Sequence, residues 1–229
     1  HFATRQIDTS ADGRSVRTML PSSPNLLMLV GQTGWELQQE GAAIEELPPI
    51  VEVEVVAADA EAVRLGGRLF QDNCAACHGR DARGNTTIGA PDLLDDAWVY
   101  GGDEKAILAS IRTGREGVMP GWEFLGYGRV KNLAHYVSSL SGAPHRPTAA
   151  EVGKKRFDAC AGCHGPDGSG NPAIGAPDLS DDAWLYGGEL DQIMTSISQG
   201  RHGQMPAWKG RLDEAEIRLV AAWMLANGK

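Results

Sequence analysis

The 229-residue chain reads as an all-α protein, two tandem copies of one small helical domain behind an irregular N-terminal extension. Three observations predict this. Residues recur at a fixed offset of 86: Gly89-Ala90-Pro91-Asp92-Leu93 returns as Gly175-Ala176-Pro177-Asp178-Leu179, and Met119-Pro120-Gly121-Trp122 returns as Met205-Pro206-Ala207-Trp208. Such self-similarity marks a duplicated unit. Within each copy, apolar residues fall at helical spacing: Leu133, Tyr136, Val137 and Leu140 in the first, Leu219, Val220 and Trp223 in the second. A hydrophobic fraction of 42% with 22% charged residues is that of a globular chain.

The extension, residues 1–60, matches neither copy. It holds three basic and nine acidic residues, a net of −6, against −1 for 61–145 and −2 for 146–229. Acidity concentrated there suits a basic protein partner and argues against nucleic acid. Pro21, Pro24, Pro48 and Pro49 interrupt any long helix, while Val51, Val53 and Val55 alternate with Glu52 and Glu54 in the period of a strand. That strand would pair with a mate or dock on a partner's sheet; a solvated linker is the competing reading. The longest apolar run, Leu26 to Val30, falls far short of the ~20 residues that span a bilayer. No basic and apolar leader pattern follows His1.

The first domain is expected at 61–143 and the second at 148–229. Gly66 and Phe70 stand four apart on one helix face, as do Gly153 and Phe157, the glycine admitting another helix closely. Thr148 and Glu151 read as a capping box on the second of these helices. A middle helix is expected from about Asp103 to Thr113, stopping at Gly114, and its copy from Glu189 to Gln199, stopping at Gly200. The last helix of the second copy starts at Asp213, with Glu216 as capping partner and Leu212/Ile217 as a staple. In each copy the first and last helices are expected to cross. Ser141 to Pro147, with two prolines, reads as the inter-domain linker. At ~3.1 Å per residue it spans only about 20 Å, which implies a fixed interface.

All four cysteines lie in two runs, Cys74-Ala75-Ala76-Cys77-His78 and Cys160-Ala161-Gly162-Cys163-His164. C-x-x-C-H is the attachment pattern of c-type haem. Two thiols reach two vinyl groups of one porphyrin, and the adjoining imidazole becomes an axial ligand. A shared zinc site or redox dithiols would leave the histidine after both pairs unexplained. The sixth ligand is expected from Met119 and Met205, each 41 residues beyond its histidine and each followed by proline. Each methionine is expected to serve its own domain's iron, with exchange across the interface as the alternative. Met19, Met28, Met194 and Met224 lack that context and read as packing or surface. His135, His145 and His202 read as surface or hydrogen-bonded residues. Trp98, Tyr100, Trp184 and Tyr186 have donors for haem propionates, and Arg115 and Arg201 have charge for them. Packing for the aromatics and solvation for the arginines are the alternatives.

Crossed helices with glycine and aromatic contacts resemble the class I cytochrome c fold. The strings Asn73 to Gly79, Asp95-Asp96-Ala97-Trp98-Val99-Tyr100-Gly101-Gly102 and Gly200 to Trp208 resemble the dihaem subunit of cbb3-type cytochrome c oxidases, the CcoP or FixP family, over about residues 62–229. The resemblance implies Cys74, Cys77, His78 and Met119, with Cys160, Cys163, His164 and Met205, as residues of two covalently bound haem c groups. It also implies a periplasmic subunit held at the inner membrane by an anchor or by partners, passing electrons to an oxygen-reducing core. A small soluble c-type cytochrome is the expected donor or acceptor. A periplasmic dehydrogenase is the alternative complex. A dihaem peroxidase would need an iron with an open sixth position, against which two Met-Pro sites argue.

Overall fold

The computed structural model describes residues 57–228. The expected alternation at Val51, Val53 and Val55, like Met19 and Met28, lies outside the described residues. Among the described residues the helices are α1 (Ala60–Asn73), α2 (Ala75–His78), α3 (Glu104–Thr113), α4 (Tyr127–Leu140), α5 (Pro147–Lys154), α6 (Asp158–His164), α7 (Leu190–Gln199) and α8 (Glu214–Asn227). Two strands, β1 (Arg115–Met119) and β2 (Arg201–Met205), pair antiparallel with Gly117 opposite Gly203. The fold is therefore helical with a small sheet, which the all-α reading lacked. No helix among the described residues is long and apolar enough to cross a membrane.

Local signals set the helix ends. Asp59 caps α1 by accepting from the amides of Glu61 and Ala62, both at 2.9 Å. Asp103 caps α3, and Asp213 with Glu216 closes a reciprocal capping box on α8. Leu212 and Ile217 are both buried in one core, as a staple requires. The expected capping box at Thr148 does not form: Arg146 occupies the cap position and Pro147 the first turn, so Thr148 lies inside the helix. Proline's fixed φ and missing donor suit that first turn.

Helix pairing departs from expectation. Each first helix crosses the last helix of the other repeat: α1 packs on α8, and α5 packs on α4. Phe70 stacks on Trp223 with ring centroids 4.4 Å apart, and Phe157 meets Tyr136 edge-on at 5.0 Å. A Cβ on Gly66 would strike the Leu219 carbonyl, and one on Gly153 the Asn132 carbonyl. One core joins Ala62, Ile107, Leu108 and Ile111 to Leu212, Ile217 and Val220. The other joins Val130, Leu133 and Val137 to Phe157, Ile193 and Ile197. Arg112 on α3 and Glu214 on α8 add an ion pair across the repeats.

The exchange happens at the sheet. Each strand runs past its mate instead of folding back, so its end joins the opposite core. Trp208 N–H donates to the Ile111 carbonyl (3.0 Å), and Trp122 N–H donates to that of Ile197 (2.9 Å). The chain thus forms an outer unit from 57–114 and 206–228 and an inner unit from 120–200. The expected repeats, 61–143 and 148–229, thus each contribute helices to both units. Ser141 to Pro147 lies between the two repeats and joins α4 to α5 within the inner unit.

Close crossing makes Gly66 sensitive. Gly66→Ala overpacks the α1–α8 contact and is expected to cost ~1–3 kcal/mol, read as a lower urea midpoint. Gly128→Ala on α4, where nothing lies within 4 Å of the added carbon, is expected to leave the midpoint unchanged or slightly raised.

Candidate haem-binding sites

Each C-x-x-C-H run folds as a short helical turn that ends in its histidine. Cys77 and Cys163 are exposed, Cys74 and Cys160 half-buried, and all four are free thiols. Burial first, and then the neighbouring Cys77, push the Cys74 thiol up to about 11. Burial and Cys163 act the same way on Cys160. Burial thus disfavours the thiolate at both half-buried positions.

His78 and His164 are each only 8% exposed. The Nδ1 of His78 lies 3.1 Å from the Pro91 carbonyl oxygen, and that of His164 lies 3.0 Å from the Pro177 oxygen. A carbonyl only accepts, so Nδ1 carries a proton, which in the neutral ring leaves the lone pair on Nε2. Nε2 of neither ring has a hydrogen-bond partner among the described residues. Burial also lowers the His78 pKa, holding the ring neutral. The accepting carbonyls sit on folded-back loops: Asn85 bridges Ala90, Asn171 bridges Ala176, and the Gly84 and Gly170 amides return to the His78 and His164 carbonyls at 2.8 Å.

Met205 packs against the outer core with Cys74, Leu93 and Trp98. Met119 packs against the inner core with Cys160, Leu179 and Trp184. Each methionine thus packs with the other repeat's motif, the exchange held above as the alternative, because the crossing strands carry each into the other unit. A single repeat holds nothing that distinguishes the two outcomes. The short α4–α5 connection was the available signal, since a few residues between helices favour antiparallel neighbours.

The other candidates fall into place. Arg115 lies over the Tyr100 ring at 4.6 Å and Arg201 over Tyr186 at 4.3 Å. Their Nε atoms donate to Ser110 and Ser196 hydroxyls, both at 2.9 Å. These arginines are thus held against the protein instead of solvated. His135 is buried and its Nδ1 accepts from the Arg146 amide at 3.3 Å. His202 pairs with Glu116 across the sheet at 2.8 Å, and His145 lies in the α4–α5 connection. Met224 is buried in the outer core and Met194 packs on the inner one. The Pro91 and Pro177 carbonyls were missed by sequence reading, although the duplicated Gly-Ala-Pro, its proline 13 residues after each histidine, was in view.

A cavity of about 410 Å³ opens between the units, lined alike by both repeats through Pro91, Asp95, Trp98, Pro177, Asp181 and Trp184. Burial raises the pKa of Asp95 and of Asp181, and the Asp95 charge adds to the rise at Asp181.

The donor chemistry fits a covalently held haem. Each site has two free thiols beside an imidazole whose Nδ1 faces a proline carbonyl and whose Nε2 is unpartnered, and a thioether on the same core. This defines a tandem c-type cytochrome. The model of the family described as cytochrome c oxidase, cbb3-type, subunit III matches residues 61–137 and again 148–224, and the chain belongs to that family. It is similar to the cbb3-type cytochrome c oxidase subunit CcoP of Rubrivivax gelatinosus, 44% identical over 75% of this chain and 56% of that protein. Subunit FixP of Bradyrhizobium sp. (strain ORS 278) is 40% identical over 72% of this chain and 61% of its own length. Subunit CcoP of Rhodobacter capsulatus is 36% identical over 81% and 70%. The chain thus spans only 56% and 61% of the first two relatives.

The raised aspartates give a pH dependence. The folded chain prefers each acid protonated, so the stability carried by that preference is complete below the unfolded aspartate pKa, about 3.9, and is lost as pH rises through the raised value. Asp95→Asn and Asp181→Asn keep an acceptor for the Ala97 and Ala183 amides. Each is expected to raise the urea midpoint modestly at pH 7 and to match the parent in acid. The double variant should gain less than the sum, because the two charges repel each other.

Proposed function

We propose that this chain is an electron-transfer subunit with two covalently bound haem c groups, delivering single electrons to the membrane core of a cbb3-type oxidase on the periplasmic side. The observation that carries the reading is the pair of buried imidazoles, each with a carbonyl-held Nδ1 proton, a bare Nε2 and a C-x-x-C pair beside it. Bound haem supplies a one-electron couple. Cys74 and Cys77 anchor the first group and Cys160 and Cys163 the second, while His78 and His164 ligate through Nε2. Met205 closes the His78 site and Met119 the His164 site. Thioether closure favours electron transfer over turnover at iron, so the chain is not an enzyme on its own. A small soluble c-type cytochrome is the proposed donor. The names of the relatives favour an oxidase core over dehydrogenase subunits as the partner.

Haem content is checked by denaturing electrophoresis with haem staining and by intact mass. Two haem additions retained after unfolding are expected from protein made with export and maturation; one addition, or zinc, refutes the reading. Exchanged ligation is checked in chains carrying Cys160→Ala and Cys163→Ala, which keep the first haem alone. There Met205→Ala is expected to lower the potential and admit carbon monoxide, while Met119→Ala changes neither. The reverse result would restore each methionine to its own repeat.

A further inference from the structure

Gly89 and Gly175 mark a reciprocal contact that neither haem site requires. A Cβ on Gly89 would fall within the ring and hydroxyl of Tyr186, and one on Gly175 within those of Tyr100. Each tyrosine therefore leaves its own unit and lays its ring on the bare backbone of the other repeat's loop. Both glycines also have positive φ, +71° and +69°, so the loop there takes a path that side chains disfavour. Arg115 and Arg201 cover their tyrosine rings and are tied to α3 and α7 by the serine bonds described above. A cation held over a ring face is attracted by the ring's negative face and steadies it. The Tyr100 hydroxyl also donates to the Glu116 carbonyl on β1 at 3.3 Å.

The loops so braced are those that hold the histidines. Gly89 stands two residues before Pro91, the acceptor for His78, and Gly175 two before Pro177, the acceptor for His164. The hydrogen bond from a ligand imidazole sets its orientation and its basicity. We propose that Tyr186 is a positioning residue for the His78 site and Tyr100 one for the His164 site. Each unit's proximal hydrogen bond, and with it the electronic character of its iron, is set by a side chain of the other. The two sites are then mechanically coupled through two rings, independently of the strands that exchange the methionines. This deepens the two-haem reading and rests on it for the identity of the iron ligands.

The test uses the loaded protein and reads each histidine separately. Hydrogen–deuterium exchange at the ring Nδ1–H of His78 and His164 is followed by NMR, together with the two reduction potentials. Tyr186→Leu is expected to speed exchange at His78 by tenfold or more and displace the first haem's potential, leaving His164 and the second haem unchanged. Tyr100→Leu is expected to do the converse. Tyr186→Phe keeps the ring and is expected to hold His78 near its parent rate. Should Tyr186→Leu fail to load both haems, Arg201→Gln removes the cover from the ring and is read in the same way. No change at either histidine, a change in the variant's own unit, or an equal change in both units overturns the proposal, since simple loosening would act without regard to the crossed pattern. These failures are distinct from failure of the two-haem reading, which would appear in the parent protein as a missing haem addition.

Discussion

The antiparallel pairing of Arg115–Met119 with Arg201–Met205 is the constraint on which the rest of the molecule depends. Five residues from each repeat run past one another with Gly117 facing Gly203. A strand that folded back would return its own methionine to its own histidine and close two separate domains. By running on, each strand exports a Met-Pro-x-Trp segment and the helix behind it. Helix partners, core composition and the neighbours of each methionine all follow from that geometry. The backbone bonds from Trp208 to Ile111 and from Trp122 to Ile197 lock the exchanged segments in place.

Most local structure was legible in the sequence because its causes are local. Gly114 and Gly200 stop their helices, Asp213 and Glu216 cap theirs, and Gly66/Phe70 and Gly153/Phe157 lie at crossings. The two cysteine and histidine runs stand out in the sequence because haem attachment would dictate that spacing. What could not be read was which copy of an identical partner each element chooses. Gly66 accepts α8 and Gly153 accepts α4, yet a tandem repeat offers both glycines nearly the same aromatic face in either helix. That choice is made by the path of β1 and β2 and by the short α4–α5 turn, where Pro147 starts a helix.

Departures from the twofold pattern are as informative as its matches. Buried His135 on α4 stands where the second repeat has Ala221, which is fully buried on α8. Exposed Phe124 and Tyr127 stand where the second repeat has Gly210 and Asp213. The shared parts, by contrast, are those that face the two sites: the proline carbonyls, the glycine loops, the tyrosines and their arginines. The two copies match where the donors are positioned and differ elsewhere, in the interior at His135 as well as on the surface.

Connectivity gives the two units unequal histories within one chain. The inner unit is continuous, and all of its helices have been synthesised once Gly200 is made. The outer unit contains the earlier cysteine pair but waits for α8, the final helix described. A chain emerging from its N-terminus therefore completes its second site first, and its first site stays accessible until α8 has followed. Attachment machinery would meet the first pocket open for longest, and α8 would seal it.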